Sequence, residues 1–422
     1  MKILLSTYTC LPRPQSEPGN AWRVITHALD QRHEVWAIIE QSEHQRPLTE
    51  YLAEHTMPGF HPVFFQLPAV LIKSLRTAGM RHAVYYHLWQ QKLLKIAYEL
   101  HTRVGFDLAH HVTFGRCWSP SGVRNLDIPF IWGPVGAAES APPAFLAELP
   151  LRERRFEWIR DHVRSFALKS RALRDTAAAA TIGIGVTRES CAALRDLGVG
   201  RVEQLPQTAL TYEEIARFDR LSAPPNGSFR AICVGRLLHW KGFHLAIRAF
   251  QIFARKKPEA ELWIINDGPF RGELEKIAAQ TGRASQVRFF GVLPNYNDVL
   301  EKLAQSHVLM HPALHEGFGN VCLEAMAAGR PVICLDIGGP ASQVTAETGY
   351  IAPATTPEEA VASMASFLAM IADDRALLAR MSAKAKARVR EKFTMSAMGK
   401  AIDSFYQDAL VMRRGTAPAS RR

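Results

Sequence analysis

Short apolar runs recur along the chain, each followed by a turn rich in glycine, proline or asparagine and then by a stretch with apolar residues every three or four positions. These runs predict strands at 2–7, 33–39, 108–112, 130–132 and 179–186. The pattern then restarts, with strands at 230–234, 261–265, 287–291, 308–311 and 331–335 and helices at 244–257, 270–281 and 320–328. Runs that are apolar throughout, rather than at alternate positions, fit strands covered on both faces, as in parallel sheets flanked by helices. The pattern therefore predicts an α/β protein of two Rossmann-like, doubly wound domains, at residues 1–208 and 209–397. The Ser-Ala-Pro-Pro-Asn-Gly-Ser stretch at 222–228 reads as the clearest linker between the two arrays. A final helical region from 375 to about 412 has room for two helices around Phe393 and Thr394, and the tail at 415–422 reads as frayed. Open sheets of this kind hold ligands beyond the carboxyl ends of their strands, so chemistry is expected immediately after strands.

The chain has 422 residues, more than one core accommodates, and at 47% hydrophobic it has an ordinary globular composition. None of its uncharged runs approaches the length of a membrane span. The six cysteines are scattered without a C-x-x-C pair, so no disulfide framework and no metal site is expected, and a cytoplasmic setting follows. The formal charge of +11 is shared by both halves. Two basic concentrations occur. One comprises Arg152, Arg154, Arg155, Arg160, Arg164, Lys169, Arg171 and Arg174; the other comprises Lys384, Lys386, Arg388, Arg390 and Lys392. Each reads as a solvated helix face or as a surface that attracts phosphate, on a nucleotide sugar, a lipid carrier or an anionic membrane at whose inner face the protein would sit. No aromatic-and-basic nucleic-acid module is visible, and nucleic acid is not expected as a partner.

Four strand exits in the second half carry candidate chemistry. Gly235-Arg236-Leu237-Leu238-His239-Trp240-Lys241-Gly242 follows the first of them, offering two fixed cations suited to a diphosphate. Asp267 with Gly268, and Gly291 with Leu293, lie in the next two turns, where backbone groups could line a nucleobase. The fourth exit, from His311 and Pro312 through Glu316-Gly317-Phe318-Gly319-Asn320 to Glu324, runs into a helix whose free amides favour an anion. Glu316 and Glu324 are acceptor-only groups suited to sugar hydroxyls, and Glu324 lies in a largely apolar helix where a lone carboxylate needs a partner.

V-G-R-L-x-x-x-K-G, then D-G-P, then E-G-F-G-x-x-x-x-E-A-M-A-x-G-x-P-V-I resembles the GT4 family of retaining glycosyltransferases, over residues 234 to about 349. The run contains the family's E-x7-E signature, with Glu316 and Glu324 as its acids. The resemblance implies the GT-B fold, with two domains facing a central cleft and a C-terminal helix, about 398–414, returning to the first domain. It also implies roles. Arg236 and Lys241 would hold the donor diphosphate, Glu324 the ribose hydroxyls and Glu316 the transferred sugar, with the amides of 317–320 on sugar hydroxyls and phosphate. Asn266, Ala313 and the Gly338-Gly339-Pro340-Ala341-Ser342 stretch depart from the family pattern, which leaves the sugar and base unassigned.

The first half resembles the family more loosely. Pro18-Gly19-Asn20-Ala21-Trp22-Arg23 looks like a reduced form of its glycine-rich loop, with Gly19 expected to approach a ligand. His110 and His111 end a strand where these enzymes often carry a histidine near the reacting sugar, and His111 lies nearer the exit. Trp132-Gly133-Pro134-Val135-Gly136 resembles a motif of a subgroup that builds bacterial surface polysaccharides, its glycines suiting an acceptor-side loop. Residues 63–100 interleave Phe64, Phe65, Tyr85, Tyr86, Trp89 and Tyr98 with Lys73, Arg76, Arg81, Lys92 and Lys95. They read either as core-facing helices or as a membrane-surface patch.

The expected reaction is transfer of a hexosyl group from a nucleoside-diphosphate sugar to a glycan or lipid-linked acceptor, with retention. No cofactor and no metal are expected, since the two cations can neutralise the diphosphate. A sugar-phosphate synthase, a sugar-nucleotide epimerase and a silent binding protein of the same fold remain alternatives at this stage.

Overall fold

The computed structural model describes residues 1–12, 17–70, 80–221, 224, 226–280 and 284–416. Residues 222, 223 and 225 of the expected linker, 417–422 of the expected tail, and Lys73 and Arg76 lie outside the described residues, as does the Arg81 side chain.

Seven strands form the first sheet: β1 (Lys2–Thr7), β2 (Glu34–Glu40), β3 (Phe60–Phe65), β4 (Leu108–Thr113), β5 (Phe130–Val135), β6 (Ile182–Gly185) and β7 (Val202–Gln204). Six form the second: β8 (Arg230–Val234), β9 (Glu261–Ile265), β10 (Val287–Gly291), β11 (Val308–His311), β12 (Val332–Leu335) and β13 (Gly349–Ala352). The orders are β3-β2-β1-β4-β5-β6-β7 and β10-β9-β8-β11-β12-β13, and every pairing is parallel. Both sheets therefore reverse direction of winding once, between β1 and β4 and between β8 and β11. Ligands of doubly wound sheets sit beyond such a reversal.

The chain divides into two compact units. One comprises Met1–Ala138, His162–Thr208 and Met398–Arg422; the other comprises Glu139–Asp161 and Ala209–Ala397. The sequence reading assigned 139–161 to the first domain. In the structure Phe145 and Leu149 are buried in the second unit's core beside Phe243, Ile247 and Phe250, and burial of those side chains decides the membership. The C-terminal helix, Met395–Thr416, contributes from Met398 to the first unit. There Tyr406 bonds His110 at 2.8 Å, Asp403 bonds His27 at 3.0 Å and Asp408 bonds Arg201 at 2.8 Å.

The 63–100 stretch is a strand and a helix rather than helices alone, since Phe64 and Phe65 belong to β3. The helix Met80–Val104 turns Tyr85, Tyr86 and Trp89 fully into the core, with Tyr98 exposed. Its aromatics build the first unit's interior, so the membrane-patch reading of this stretch is not supported. No helix among the described residues is long and apolar enough to cross a membrane. The second basic concentration is spent inside its own unit. Lys384 pairs with Glu347 at 3.1 Å, Lys386 and Arg390 pair with Asp219 at 3.6 and 2.7 Å, and Arg388 donates to the Gln343 carbonyl at 2.6 Å.

Candidate active site

The exits of β8 and β11 are adjacent because β8 and β11 pair directly. They carry the two most distinctive stretches of the sequence. After β8 the chain forms one turn of 3-10 helix, His239–Lys241, ending at Gly242 with φ of +70°. A Cβ at that glycine would lie 1.7 Å from the Pro312 carbonyl oxygen. Only glycine fits there, because the loop bearing Lys241 presses backbone to backbone against the exit of β11. The Leu314 amide also donates to the Trp240 carbonyl at 2.7 Å. Through this contact Lys241 and Glu316, 75 positions apart, form an ion pair.

His311 Nε2 lies 3.5 Å from the same Glu316 oxygen, on a side chain that is itself buried. Burial alone would raise the Glu316 carboxyl, but His311 and Lys241 outweigh it and lower the group to about 2. Glu316 is thus a fixed carboxylate at any physiological pH. Its carbonyl oxygen accepts from the Gly339 amide at 2.9 Å, which anchors the loop from below. The helix Asn320–Ala327 begins after Gly319 with no side-chain cap, so its first amides remain available to an anion.

Glu324 lies one turn along that helix, half-buried. Burial pushes its carboxyl up to about 7; a hydrogen bond from Tyr296 opposes the shift and the charge of Glu214 adds to it. Arg236 is exposed and makes no ion pair among the described residues. Asp267 accepts from the Gly268 amide at 2.7 Å and from Arg271 at 3.0 Å, contacts that hold its carboxyl below the usual range. Asn266 has φ of +95° and its amide donates to the Gly291 carbonyl at 2.7 Å, which ties the β9 and β10 exits together. Leu293 is half-buried in the turn that follows.

Glu157 and its partners His239 and His315 were not singled out from the sequence. Glu157, in the helix Leu151–Leu168, is buried beneath the two loops. One of its oxygens accepts from His239 Nε2 at 2.7 Å and from His315 Nε2 at 3.1 Å; the other accepts from Arg160 at 2.9 Å. These partners overcome the effect of burial and hold the carboxyl well below the usual range. His239 stands two positions before Lys241, and His315 immediately precedes Glu316. A single carboxylate thus gathers both loops. An aromatic stack runs alongside, with Phe156 on Trp240 at 5.7 Å and Trp240 on His315 at 5.5 Å. In the sequence Glu157 is hidden in an arginine-rich run that reads as solvated.

The first unit departs from several sequence expectations. Gly19 lies in the first turn of the helix Glu17–Asp30, not in a loop. His110 Nε2 meets the Gly133 carbonyl at 2.6 Å and Nδ1 meets the Tyr406 hydroxyl at 2.8 Å. His111 Nε2 meets the Phe114 carbonyl at 3.2 Å and Nδ1 meets the Ser121 hydroxyl at 3.1 Å. A carbonyl only accepts, so each ring carries its proton on Nε2 and accepts at Nδ1. Burial lowers both histidines to about 4, so they are neutral. With both nitrogens occupied and no exposure, neither offers a group to a substrate in this conformation. Gly133 is part of β5, where a Cβ would lie 2.2 Å from the Ile184 carbonyl oxygen, and its role is to let β5 and β6 pack. Gly136 is held by backbone bonds with Gly115 at 2.7 Å and Cys117 at 3.0 Å.

Comparisons with known proteins bear on this arrangement. Residues 215–388 match the family model described as "Glycosyl transferases group 1", which covers both loops and both glutamates. The chain is 29% identical over 235 residues to the lipopolysaccharide core biosynthesis glycosyltransferase LpsD of Rhizobium meliloti (strain 1021), a match covering 55% of this chain and 63% of that protein. It is 32% identical over 186 residues to the lipopolysaccharide core biosynthesis mannosyltransferase LpsB of the same organism, covering 42% and 51%. The chain thus spans less than two thirds of the length of these curated relatives. Among solved structures, the lipopolysaccharide outer core galactosyltransferase WaaB in its apo form superposes with a TM-score of 0.64 at 14% identity, over 98% of this chain and all of that one. At that identity the likeness speaks for the fold, which is the GT-B fold the motifs predict. Residues 215–388 are accordingly a glycosyl transferases group 1 domain, set in a chain of GT-B architecture.

Proposed function

We propose that the protein is a retaining glycosyltransferase of the GT4 type, moving a hexosyl group from a nucleoside-diphosphate sugar to an acceptor hydroxyl of a lipid-linked or growing surface glycan. The observation that carries this reading is the Lys241–Glu316 pair beside an uncapped helix end, at the winding reversal of the second sheet. Sequence relatives in lipopolysaccharide core assembly support the acceptor class.

In the proposed reaction the bond from the anomeric carbon to the β-phosphate oxygen breaks while the acceptor oxygen bonds to the same face of that carbon. The acceptor's proton passes to the departing phosphate. Lys241 and Arg236 neutralise the charge growing on the diphosphate, and the amides of 317–320 bond its oxygens or the sugar. Glu316, a permanent carboxylate, accepts from sugar hydroxyls and fixes the ring's orientation. Because two cations serve the leaving group, the reaction is proposed to need no divalent metal and no cofactor. The direct test is product stereochemistry by NMR with a panel of UDP- and GDP-sugars, with and without EDTA. Retention at an unchanged rate in EDTA is the expected result; inversion, or loss of turnover in chelator, sinks the reading.

Glu324 adds a pH signature. Two ribose hydroxyls donate more strongly to its ionised form than to its acid, so donor binding favours release of the proton that the free protein holds below about pH 7. Donor affinity is expected to be about tenfold weaker at pH 6 than at pH 8 and level above that. Glu324→Gln should flatten the profile. Isothermal titration across pH decides it, and an unaltered slope in the variant removes Glu324 from the ribose.

A further inference from the structure

The helix Leu151–Leu168 carries an outer face that the transfer chemistry does not use. Leu151, Arg155, Trp158, Ile159, His162 and Phe166 recur at three- and four-residue spacing, and all are exposed. Leu151 is 60%, Trp158 61% and Phe166 81% accessible. Flanking positions add Arg152 and Arg154, also exposed. Among the described residues, six of the 17 exposed large hydrophobics lie on this one helix. Its carboxylates turn the other way: Glu157 is buried, and Glu153 and Asp161 are half-buried. The outer face is thus apolar and cationic, with no exposed acid.

Large apolar side chains gathered on one exposed helix face mark an interaction surface. Aromatic and aliphatic groups interleaved with arginines match a helix lying in the headgroup region of an anionic bilayer. In such a helix arginines meet lipid phosphates while indole and phenyl rings enter the acyl boundary. We propose that this helix docks the protein, in the plane of the interface, on a membrane surface rich in anionic lipid. A lipid-linked acceptor would be met at such a surface, and in that respect the inference rests on the function proposed above; the binding itself does not.

The test is co-sedimentation of the full chain with vesicles of phosphatidylcholine alone or mixed with phosphatidylglycerol, at low and at high salt. The wild type should pellet with the mixed vesicles at low salt, far less with neutral ones, and less as salt rises. Trp158→Ser/Phe166→Ser and Arg154→Glu/Arg155→Glu should each lower the bound fraction by about fivefold or more. Both should keep the wild-type melting temperature, because the altered side chains are exposed. Absence of binding to anionic vesicles, or wild-type binding by both variants, overturns the proposal. Size-exclusion gives a further decision: a wild-type dimer that Trp158→Ser/Phe166→Ser converts to a monomer would assign the face to a second copy of the chain, and would also overturn it. Vesicle binding without any glycosyl transfer would sink the proposed function alone. Transfer to a soluble acceptor without vesicle binding would sink this inference alone.

Discussion

Lys241→Ala is expected to lower kcat/KM for glycosyl transfer by roughly 10²–10³-fold, the range seen when one preorganised charge-stabilising donor is removed from a transition state. The loss should fall on kcat more than on donor KM, because charge on the leaving diphosphate grows as the glycosidic bond breaks. The fold should persist. Lys241 is half-buried, at the edge of the loop rather than in the core. Its removal leaves Glu316 with His311 as its remaining partner, so the carboxyl moves up from about 2 while remaining ionised near neutrality. Circular dichroism and nucleoside-diphosphate titration establish folding and binding, and steady-state kinetics with the donor found in the sugar panel supplies the rate. Turnover within a few-fold of wild type would remove Lys241 from the reaction.

Gly242→Val should act by a different route, through structure first. A Cβ at this position meets the Pro312 carbonyl at a distance no contact allows, and φ of +70° is itself unfavourable for a β-branched residue. Separating the two loops is expected to cost about 3 kcal/mol or more. That corresponds to a fall in Tm of roughly 6–12 °C for a unit of this size. Activity should fall with it, since that contact, together with the Leu314–Trp240 bond and the Glu157 carboxylate, brings Lys241 and Glu316 together. Gly317→Ala is the matching control. A Cβ at Gly317 meets nothing within 4 Å, so its Tm should stay at the wild-type value, whatever happens to turnover. If Gly242→Val melts like wild type, the close packing of the loops is not what holds the pair together.

How far these features were legible in the sequence depends on burial. Central strands such as β8, β9 and β12 are covered on both faces and carry unbroken apolar runs, with boundaries that follow directly. The strands that escaped notice are β3, β7 and β13, and each lies at the edge of its sheet. Edge strands are half-exposed and short, so polar residues interrupt the apolar signal, as His61 and Pro62 do in β3. The Lys241 and Glu316 loops could be found because strand exits and glycines are local features. The orientation of His110 and His111 could not, since it depends on Tyr406 and Ser121, 296 and 10 positions away. Glu157 was invisible for a related reason. Nothing in an arginine-rich helical stretch distinguishes a carboxylate that faces water from one that faces two distant histidines.

The two-sided character of the Leu151–Leu168 helix has a mechanical consequence. Within the second unit's part of the helix, residues 151–161, it presents Leu151 and Trp158 outward and Glu157 inward, on the same turns. Any tilt or roll imposed on the outer face carries the Glu157 carboxylate with it. Because His239 and His315 share that one oxygen, the strands of polypeptide ahead of Lys241 and Glu316 must follow together. The spacing between cation and acid is therefore hung from a pin whose far side is the protein's own exterior.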